Sequence, residues 1–167
     1  MSGLVGIMGD THDNLELTRK ALKVLVEKGV STVLHTGDVI SPFTAKLLVK
    51  SGLKIHLVWG NNDGDKVKLA EILAKGGGEV HGEYALLTIN NKRVFLTHYV
   101  PPQLLEGMLR SGACQVAIYG HTHKPEVKKV GGGLLLNPGE VCGYLHGKST
   151  VIILNLEKLE AQVLTLT

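Results

Sequence analysis

In the first half of the chain, short apolar runs alternate with longer segments whose apolar residues recur every three or four positions. The short runs predict buried strands over 4–8, 32–35 and 55–59. The longer segments predict helices over 15–28, from Ser41-Pro42 to Gly52, and over 66–75, because cap residues and glycines stand at their ends. This order favours parallel strands with helices packed on the sheet.

The second half of the chain is richer in predicted strands. Two runs, 84–89 and 92–96, flank Asn90-Asn91, and asparagine tolerates the positive φ of a tight hairpin. A helix is predicted over 103–111, followed by strands at 115–119, 127–130, 134–137, 150–155 and 162–166. The fold class is therefore α/β, and helices would cover both outer faces if two sheets pack face to face.

The composition limits the class of protein, the number of domains and the partners that are expected. The 167 residues are 44% hydrophobic and 20% charged, which predicts one globular domain over 1–167. A net charge of +3 and only 4% aromatic residues argue against nucleic acid as a partner and against a nuclease groove.

The location of the protein is also suggested by the sequence. No apolar run reaches a membrane span of roughly 18 residues, and polar residues from Asp10 onwards interrupt the first run, so neither a membrane segment nor a signal peptide is expected. Cys114 and Cys142 lie far apart without a Cys-x-x-Cys motif. We therefore expect free thiols and a cytoplasmic location.

Short polar motifs directly follow five of the predicted strands. Ligands bind at the carboxyl ends of strands in open α/β sheets, so we expect the side chains of these motifs to meet in one site. A single Asp or His at a strand end is more often structural, and only the co-occurrence of all five motifs indicates a site. The carboxylate, amide and imidazole groups concerned belong to Asp10, His12, Asp38, Asn61, His98, His121 and His123.

These residue types are the ones that divalent transition metals bind. Oxygen ligands combined with imidazole suit Mn, Fe, Ni, Co or Zn, and the missing thiolate argues against a structural zinc site. Seven candidate ligands exceed the three or four that one zinc ion uses, and a shared carboxylate can hold two ions about 3.5–4 Å apart. Two divalent metal ions are therefore the expected cofactors.

The order of the motifs resembles that of the calcineurin-like metallophosphoesterases, and most closely their small prokaryotic branch, the YfcE-like phosphodiesterases. The matching motifs are Asp-x-His, Gly-Asp, Gly-Asn-x-Asp, Thr-His and Gly-His-x-His, and the similarity runs from Ile7 to the Asn137-Pro138-Gly139 turn. The resemblance implies a four-layer α-β-β-α sandwich of two mixed sheets flanked by helices. It also implies a metal-dependent phosphodiesterase in which a hydroxide held between two metal ions attacks a small phosphate ester.

The resemblance further implies how the candidate ligands divide between the two ions. One ion would be held by Asp10, His12, Asp38 and His123. The other would be held by Asp38, Asn61, His98 and His121, so that Asp38 bridges both. Asp13, Asn14 and Asp63 are expected around these ligands, and capping of the helix before Lys66 is the alternative role for Asp63.

Two positions depart from the family pattern. Many members carry a proton-donating His after the motif asparagine, whereas this chain has Asn62, which cannot titrate. We expect Asn62 to assist catalysis by hydrogen bonding to the phosphate, and the enzyme to favour diesters and good leaving groups. The family often has His-Gly-His after the hairpin strand; here Tyr99 follows His98, and its ring is a candidate wall of the pocket.

An alternative function is a non-catalytic, protein-binding scaffold of the same fold, as in a retromer subunit. A scaffold with a retired site should have lost ligands, whereas all seven candidates are present here, which favours the enzyme. A homo-oligomer is compatible with the sequence. His35 lies inside the second predicted strand and is expected to be packed in the core or behind the ligands. The other histidines have no partner motif and are expected to be structural or solvated: His56, His81 and His146.

Overall fold

The computed structural model describes residues 3–167, over which the chain forms eleven strands and four helices. The strands are β1 (Leu4–Met8), β2 (Thr32–His35), β3 (Lys54–Leu57), β4 (Glu79–Val80), β5 (Tyr84–Ile89), β6 (Lys92–Thr97), β7 (Val116–Ile118), β8 (Pro125–Val130), β9 (Gly133–Pro138), β10 (Thr150–Asn155) and β11 (Glu160–Thr165). The helices are α1 (Leu15–Glu27), α2 (Pro42–Lys50), α3 (Lys66–Lys75) and α4 (Pro102–Arg110).

The strands form two mixed sheets. The first has the order β11-β10-β1-β2-β3-β4 and the second the order β5-β6-β7-β9-β8. Strands β1 to β4 run parallel, as do β6, β7 and β9, while antiparallel strands complete each sheet. Apolar side chains from both sheets share one core between them. A second cluster lies between the first sheet and its helices, and a third lies between the second sheet and α4. The predicted α-β-β-α sandwich is therefore confirmed.

Strand β1 illustrates why the central strands read as unbroken apolar runs. Val5 and Ile7 belong to the core between the sheets, whereas Met8 belongs to the cluster beneath α1 and α2. At Gly6 an added Cβ would lie 3.0 Å from Leu25 of α1, so the helix packs directly on the strand there. A strand buried on both faces has no polar positions to alternate with apolar ones.

The first three helices begin at residues whose side chains accept a backbone hydrogen bond. Asn14 accepts from Leu17 N at 3.2 Å, Ser41 accepts from Phe43 N, and Asp65 accepts from Lys68 N at 2.9 Å. Each cap follows a loop that leaves the carboxyl end of a strand. The caps therefore define the helix starts close to the end of the molecule where the candidate ligands lie.

The structure departs from the predicted elements by one or two residues at several ends and by one additional strand; β8 begins at Pro125 rather than at residue 127, and β11 begins at Glu160 rather than at residue 162. Strand β3 ends at Leu57 rather than at residue 59, and the two-residue strand β4 was not predicted, because two residues are too short for any periodicity to show. The hairpin is as predicted: Ile89 pairs with Lys92, and the two asparagines have φ of 49° and 60°. Within the described residues, no helix is long and apolar enough to cross a membrane.

Candidate metal centre

The seven candidate ligands lie on loops at the carboxyl ends of five strands, and five of them have left-handed backbone conformations. Non-glycine residues rarely adopt positive φ, and such strain persists only where surrounding structure enforces it. The five and their φ angles are Asp10 (48°), His12 (40°), Asp38 (57°), His121 (65°) and His123 (61°). The surrounding structure therefore holds these residues in an unfavourable backbone conformation, which directs their side chains towards the candidate site.

Asp63 stabilises one of these strained loops. Its carboxylate accepts hydrogen bonds from the backbone N–H groups of Asp38, Val39, Ile40 and Gly60, at 2.7–3.1 Å. The loops after β2 and β3 are thereby tied together. Asp63 thus lies next to the ligands, in the supporting role that the sequence predicts.

The first group of candidate ligands meets around Asp10. Asp10 Oδ1 lies 3.4 Å from His123 Nε2 and 3.8 Å from His12 Nε2. His12 Nε2 lies 3.3 Å from Asp38 Oδ2. Donor atoms about 2.0–2.2 Å from a common ion lie about 3–4 Å apart, so these spacings suit one bound ion.

The second group of candidate ligands meets around Asn61. Its Oδ1 lies 2.8 Å from His98 Nε2 and 2.9 Å from His121 Nδ1. His98 Nε2 lies 3.6 Å from Asp38 Oδ2, the same oxygen that faces His12 in the first group. One carboxylate oxygen is therefore common to both groups, as a bridging ligand requires.

Two buried atoms of the first group support the fit of this site to a metal. Asp10 Oδ1 and His12 Nε2 are shielded from solvent and have no hydrogen-bond partner. A buried polar atom without a partner costs about 1–3 kcal/mol, and more when it is charged. A cation between these atoms removes that cost, and their chemistry matches the oxygen and nitrogen ligands of divalent transition metals.

The protonation states in the metal-free protein follow from the same contacts. The carboxylates of Asp10 and Asp38 raise the pKa of His12 to about 9. Burial acts to raise the pKa of Asp38, but the His12 imidazole, 3.3 Å away, and the hydrogen bonds from Asn62 outweigh it and hold that pKa far below its usual value. Asp38 is therefore ionised and ready to bind a cation, whereas a metal ion must displace a proton from His12.

Two of the candidate histidines are oriented through their second ring nitrogen. His98 Nδ1 lies 2.8 Å from the carbonyl oxygen of Thr36, and His123 Nδ1 lies 2.6 Å from Glu140 Oε2. Each contact fixes the ring with its N–H on Nδ1, which leaves the lone pair of Nε2 facing the site. Such contacts are typical of histidines that bind metal ions.

Glu140, which no sequence motif indicated, lies directly behind the candidate ligand His123. It is fully buried and, besides His123, accepts from the backbone N–H of Leu145 at 3.1 Å and of His146 at 2.7 Å. Burial acts to raise the pKa of Glu140, but the hydrogen bonds from His123 and from these backbone groups lower it. Its only signal in the sequence is its place directly after the 137–139 turn.

Asn62 and Tyr99 both lie beside the candidate ligands. Asn62 donates through its backbone N–H to Asp38 Oδ1 and through Nδ2 to Asp38 Oδ2, each at 2.8 Å. Its amide is thus engaged with the shared carboxylate, and its hydrogen bond to a phosphate stays a prediction. The ring of Tyr99 lies 5.0 Å from that of His121, at the edge of the site.

The remaining polar residues near the site hold the loops. Asn14 donates through Nδ2 to the carbonyl oxygen of Cys142 at 3.0 Å, and Asp13 accepts from the hydroxyl groups of Ser41 and Thr44. His35 is fully buried, where it accepts from the N–H of Gly37, and burial lowers its pKa to about 4. These contacts agree with their predicted placement outside the ligand set.

The two cysteines have the predicted thiol form. Cys114 and Cys142 are both free and buried. Burial raises the pKa of both thiols, to about 12 for Cys142. Neither group is therefore reactive at neutral pH.

The assembled geometry agrees with one known family. The calcineurin-like phosphoesterase superfamily domain matches residues 4–159. The chain belongs to this superfamily. The resemblance drawn from the motif order is thereby confirmed, together with the predicted activity class, hydrolysis of phosphate esters.

Two comparisons show similarity over nearly the whole chain. The "Phosphodiesterase MJ0936" of Methanocaldococcus jannaschii is 39% identical over 97% of this chain and 98% of its own length. A solved structure described as a novel archaeal phosphodiesterase is also 39% identical, covers 97% of this chain and 99% of its own, and superposes with a TM-score of 0.90.

More distant structures share the fold alone. The YfcE phosphoesterase of E. coli is 21% identical, covering 98% of this chain and 100% of its own, with a TM-score of 0.68. The zinc complex of Vps29 from Entamoeba histolytica is 23% identical, covering 98% of this chain and 99% of its own, with a TM-score of 0.70. The fold thus occurs in a phosphoesterase and in Vps29, so the residues of the site must distinguish their functions.

Proposed function

We propose that the protein is a two-metal phosphodiesterase whose centre is formed by the seven predicted ligands. The observation that carries the proposal is the shared oxygen, Asp38 Oδ2, which faces a nitrogen of each ligand group, at 3.3 Å from His12 and 3.6 Å from His98. When bound, two divalent ions lower the pKa of a water molecule and neutralise charge on the phosphate oxygens. Mn, Fe, Ni, Co and Zn all suit this donor set.

The division of the ligands follows the two groups. Around the first ion we assign Asp10, His12, Asp38 and His123. Around the second we assign Asp38, Asn61, His98 and His121. Support comes from the short distances within each group and from the lack of hydrogen-bond partners at Asp10 Oδ1 and His12 Nε2.

A pocket of about 410 Å³ beside the second group is a suitable place for the leaving group. Four aromatic side chains line it together with the charged group of Lys66: Trp59, Tyr84, Phe95 and Tyr99. Tyr84 and Phe95 stack at 5.8 Å, and Lys66 Nζ lies 5.7 Å from the centre of the Trp59 ring. Stacking of a ligand ring on such side chains contributes about 1–3 kcal/mol, so we assign esters with an aryl or nucleobase group as substrates.

The charge around the centre supports a diester over a monoester. Asp10, Asp38 and Asp63 surround the site, and a diester brings one negative charge fewer than a monoester into it. The lysine at the pocket rim can pair with that single remaining charge. A small diester also agrees with the modest net charge of +3, which provides little attraction for a long nucleic acid.

The complete ligand set favours the enzyme over the scaffold. A protein-binding surface requires neither a strained backbone at Asp38 nor two buried polar atoms without hydrogen-bond partners. Both features destabilise the protein when no ion is bound. The scaffold alternative predicts instead that alanine at a ligand leaves every function of the protein unchanged.

The test of the proposed function is a substrate panel on metal-free protein reloaded with single divalent ions. Aryl diesters and the matching aryl monoesters are compared under the same conditions. We expect activity only with metal, and a higher kcat/KM for diesters. Higher kcat/KM for monoesters with every ion would contradict the assignment to diesters.

The aromatic pocket is tested separately with Tyr99→Ala. We expect KM to rise for aryl and nucleotide diesters and to stay the same for methyl diesters, because only the former lose a stacking partner. Tyr144→Ala is the matched control, since that side chain is also exposed and does not line the pocket. Equal KM values for wild type and Tyr99→Ala with aryl diesters would refute the assignment.

A further inference from the structure

A second cluster of candidate metal ligands lies at the edge of the first sheet and shares no residue with the centre described above. It consists of His56 on β3, Glu79 on β4 and His81 just after β4. His56 and Glu79 are register partners in the parallel pair, and His81 follows Glu79 by two positions. Side chains at such positions project from the same face of a sheet, so the backbone itself brings the three groups together.

The distances within this cluster suit a single ion. His56 Nδ1 and His81 Nε2 are 2.9 Å apart, and Glu79 Oε2 lies 3.8 Å from the first and 3.9 Å from the second. An ion about 2.0–2.1 Å from both nitrogens would see them at an angle of about 90°, which coordination spheres larger than four accommodate. The ring centroids are 5.2 Å apart with an interplanar angle of 20°, so the two nitrogens face each other along one line, and each ring must turn by about 45° to direct its lone pair at a shared ion.

The contacts around the cluster orient its carboxylate. Lys54 Nζ binds Glu79 Oε1 at 2.9 Å, which holds the carboxylate in place and leaves Oε2 directed towards the imidazoles. Burial lowers the pKa of His56, which favours the neutral ring with a lone pair to donate. Without an ion, the 2.9 Å contact between the rings requires one histidine to donate an N–H to the other.

Space for further ligands is present beside the cluster. A cavity of about 460 Å³ between the sheet edge and strand β5 is lined by His56, Glu79, Lys54 and Thr88 among others. The side chains of His56 and His81 are 10% and 19% exposed, and His56 and Glu79 line this cavity. Two imidazoles and one carboxylate leave coordination positions open for water or for a small anion.

We propose that His56, Glu79 and His81 form a further, mononuclear binding site for a divalent transition-metal ion such as Zn²⁺ or Ni²⁺, outside the phosphoesterase centre. The ligand set of two imidazoles and one carboxylate matches cations of this class, and it is unsuited to Mg²⁺ or Ca²⁺, which prefer oxygen.

The test counts metal ions in wild-type protein and in His81→Gln. Both are stripped with chelator, dialysed to equilibrium against a Zn²⁺ buffer, and analysed for zinc per chain. We expect wild type to bind one ion more than His81→Gln and than Glu79→Gln. His146→Gln, which removes an exposed histidine elsewhere, should bind as many ions as wild type.

Other results would overturn the site. Equal zinc contents in wild type and His81→Gln would show that the ring contact is an N–H···N hydrogen bond only. A full zinc content in Glu79→Gln would remove the carboxylate from the ligand set. The phosphoesterase activity of both variants should equal that of wild type, so loss of activity together with zinc would assign the ion to the catalytic centre instead. Because the readout is a difference between variants, it does not depend on how many ions the catalytic centre holds.

Discussion

Replacing Glu140 with Gln tests whether the contact behind a proposed ligand sets the metal affinity. The carboxylate accepts from His123 Nδ1 at 2.6 Å, and this contact keeps His123 Nε2 directed towards Asp10 Oδ1, 3.4 Å away. Glu140→Gln retains the shape of the side chain but removes its charge. The glutamine amide can also rotate, so that an N–H group instead of an oxygen faces the imidazole.

The size of the effect follows from the nature of the lost contact. Removing a group that orients a metal-bound histidine typically costs 10–100-fold in metal affinity, which is about 1.4–2.7 kcal/mol. Glu140 also accepts from the N–H groups of Leu145 and His146, so the free energy of unfolding should fall as well, by about 1.5–3 kcal/mol. The variant should therefore fold but bind metal more weakly.

The assay measures activity against free Mn²⁺ concentration for wild type and Glu140→Gln. We expect the half-saturating Mn²⁺ concentration to rise 10–100-fold, with most of kcat recovered at saturation, because the ligands themselves are intact. Glu126→Gln is the matched control, since that carboxylate accepts from the hydroxyl of Tyr119 and orients no ligand. An unchanged Mn²⁺ dependence in folded Glu140→Gln would refute the reasoning.

Three further predictions concern residues in and around the centre. Asp38→Asn should lose far more activity than His35→Asn, because only Asp38 faces both ligand groups. Equal losses of activity would show that the metal centre does not lie around Asp38. The rate of hydrolysis by the wild-type protein should depend steeply on the pKa of the leaving group, since Asn62 donates hydrogen bonds but no proton. For the same reason Asn62→Ala should lose no more than about a hundredfold in kcat. A wild-type rate that does not vary with leaving-group pKa would contradict this. Folding should also lose stability as the pH falls from about 6.5 to about 4, because the unfolded chain protonates His35 before the folded protein does, whose pKa is about 4. Between pH 7 and pH 5 the contribution of His35 to the free energy of unfolding should fall by about 2 kcal/mol, measured as the difference between wild type and His35→Asn in urea unfolding of metal-free protein.

The sequence predicted most of the fold because its helices and central strands carry strong local signals. Strand β1 is apolar on both faces, and helix α2 begins with a serine cap followed by proline. Strand β4 has no such signal, because it has only two residues and owes its existence to pairing with β3. Its pairing depends on tertiary contacts that no local pattern expresses.

The candidate ligands were predictable for a similar reason. They occur in short motifs at strand ends, and parallel strands bring their carboxyl ends together. Glu140 was missed because its role depends on a contact with His123, 17 positions away, across a turn. The prediction that His56 and His81 are isolated fails for the same reason, since the unpredicted strand β4 brings them together.

The central claim is tested most directly by measuring bound metal and activity on the same samples of wild-type protein. Dialysis against chelator should remove the metal and abolish hydrolysis of an aryl phosphodiester. Returning Mn²⁺, Ni²⁺ or Co²⁺ should restore hydrolysis, with activity rising in proportion to the ions bound by the centre around Asp38. Full activity in excess chelator, with no metal found by elemental analysis, would contradict the account.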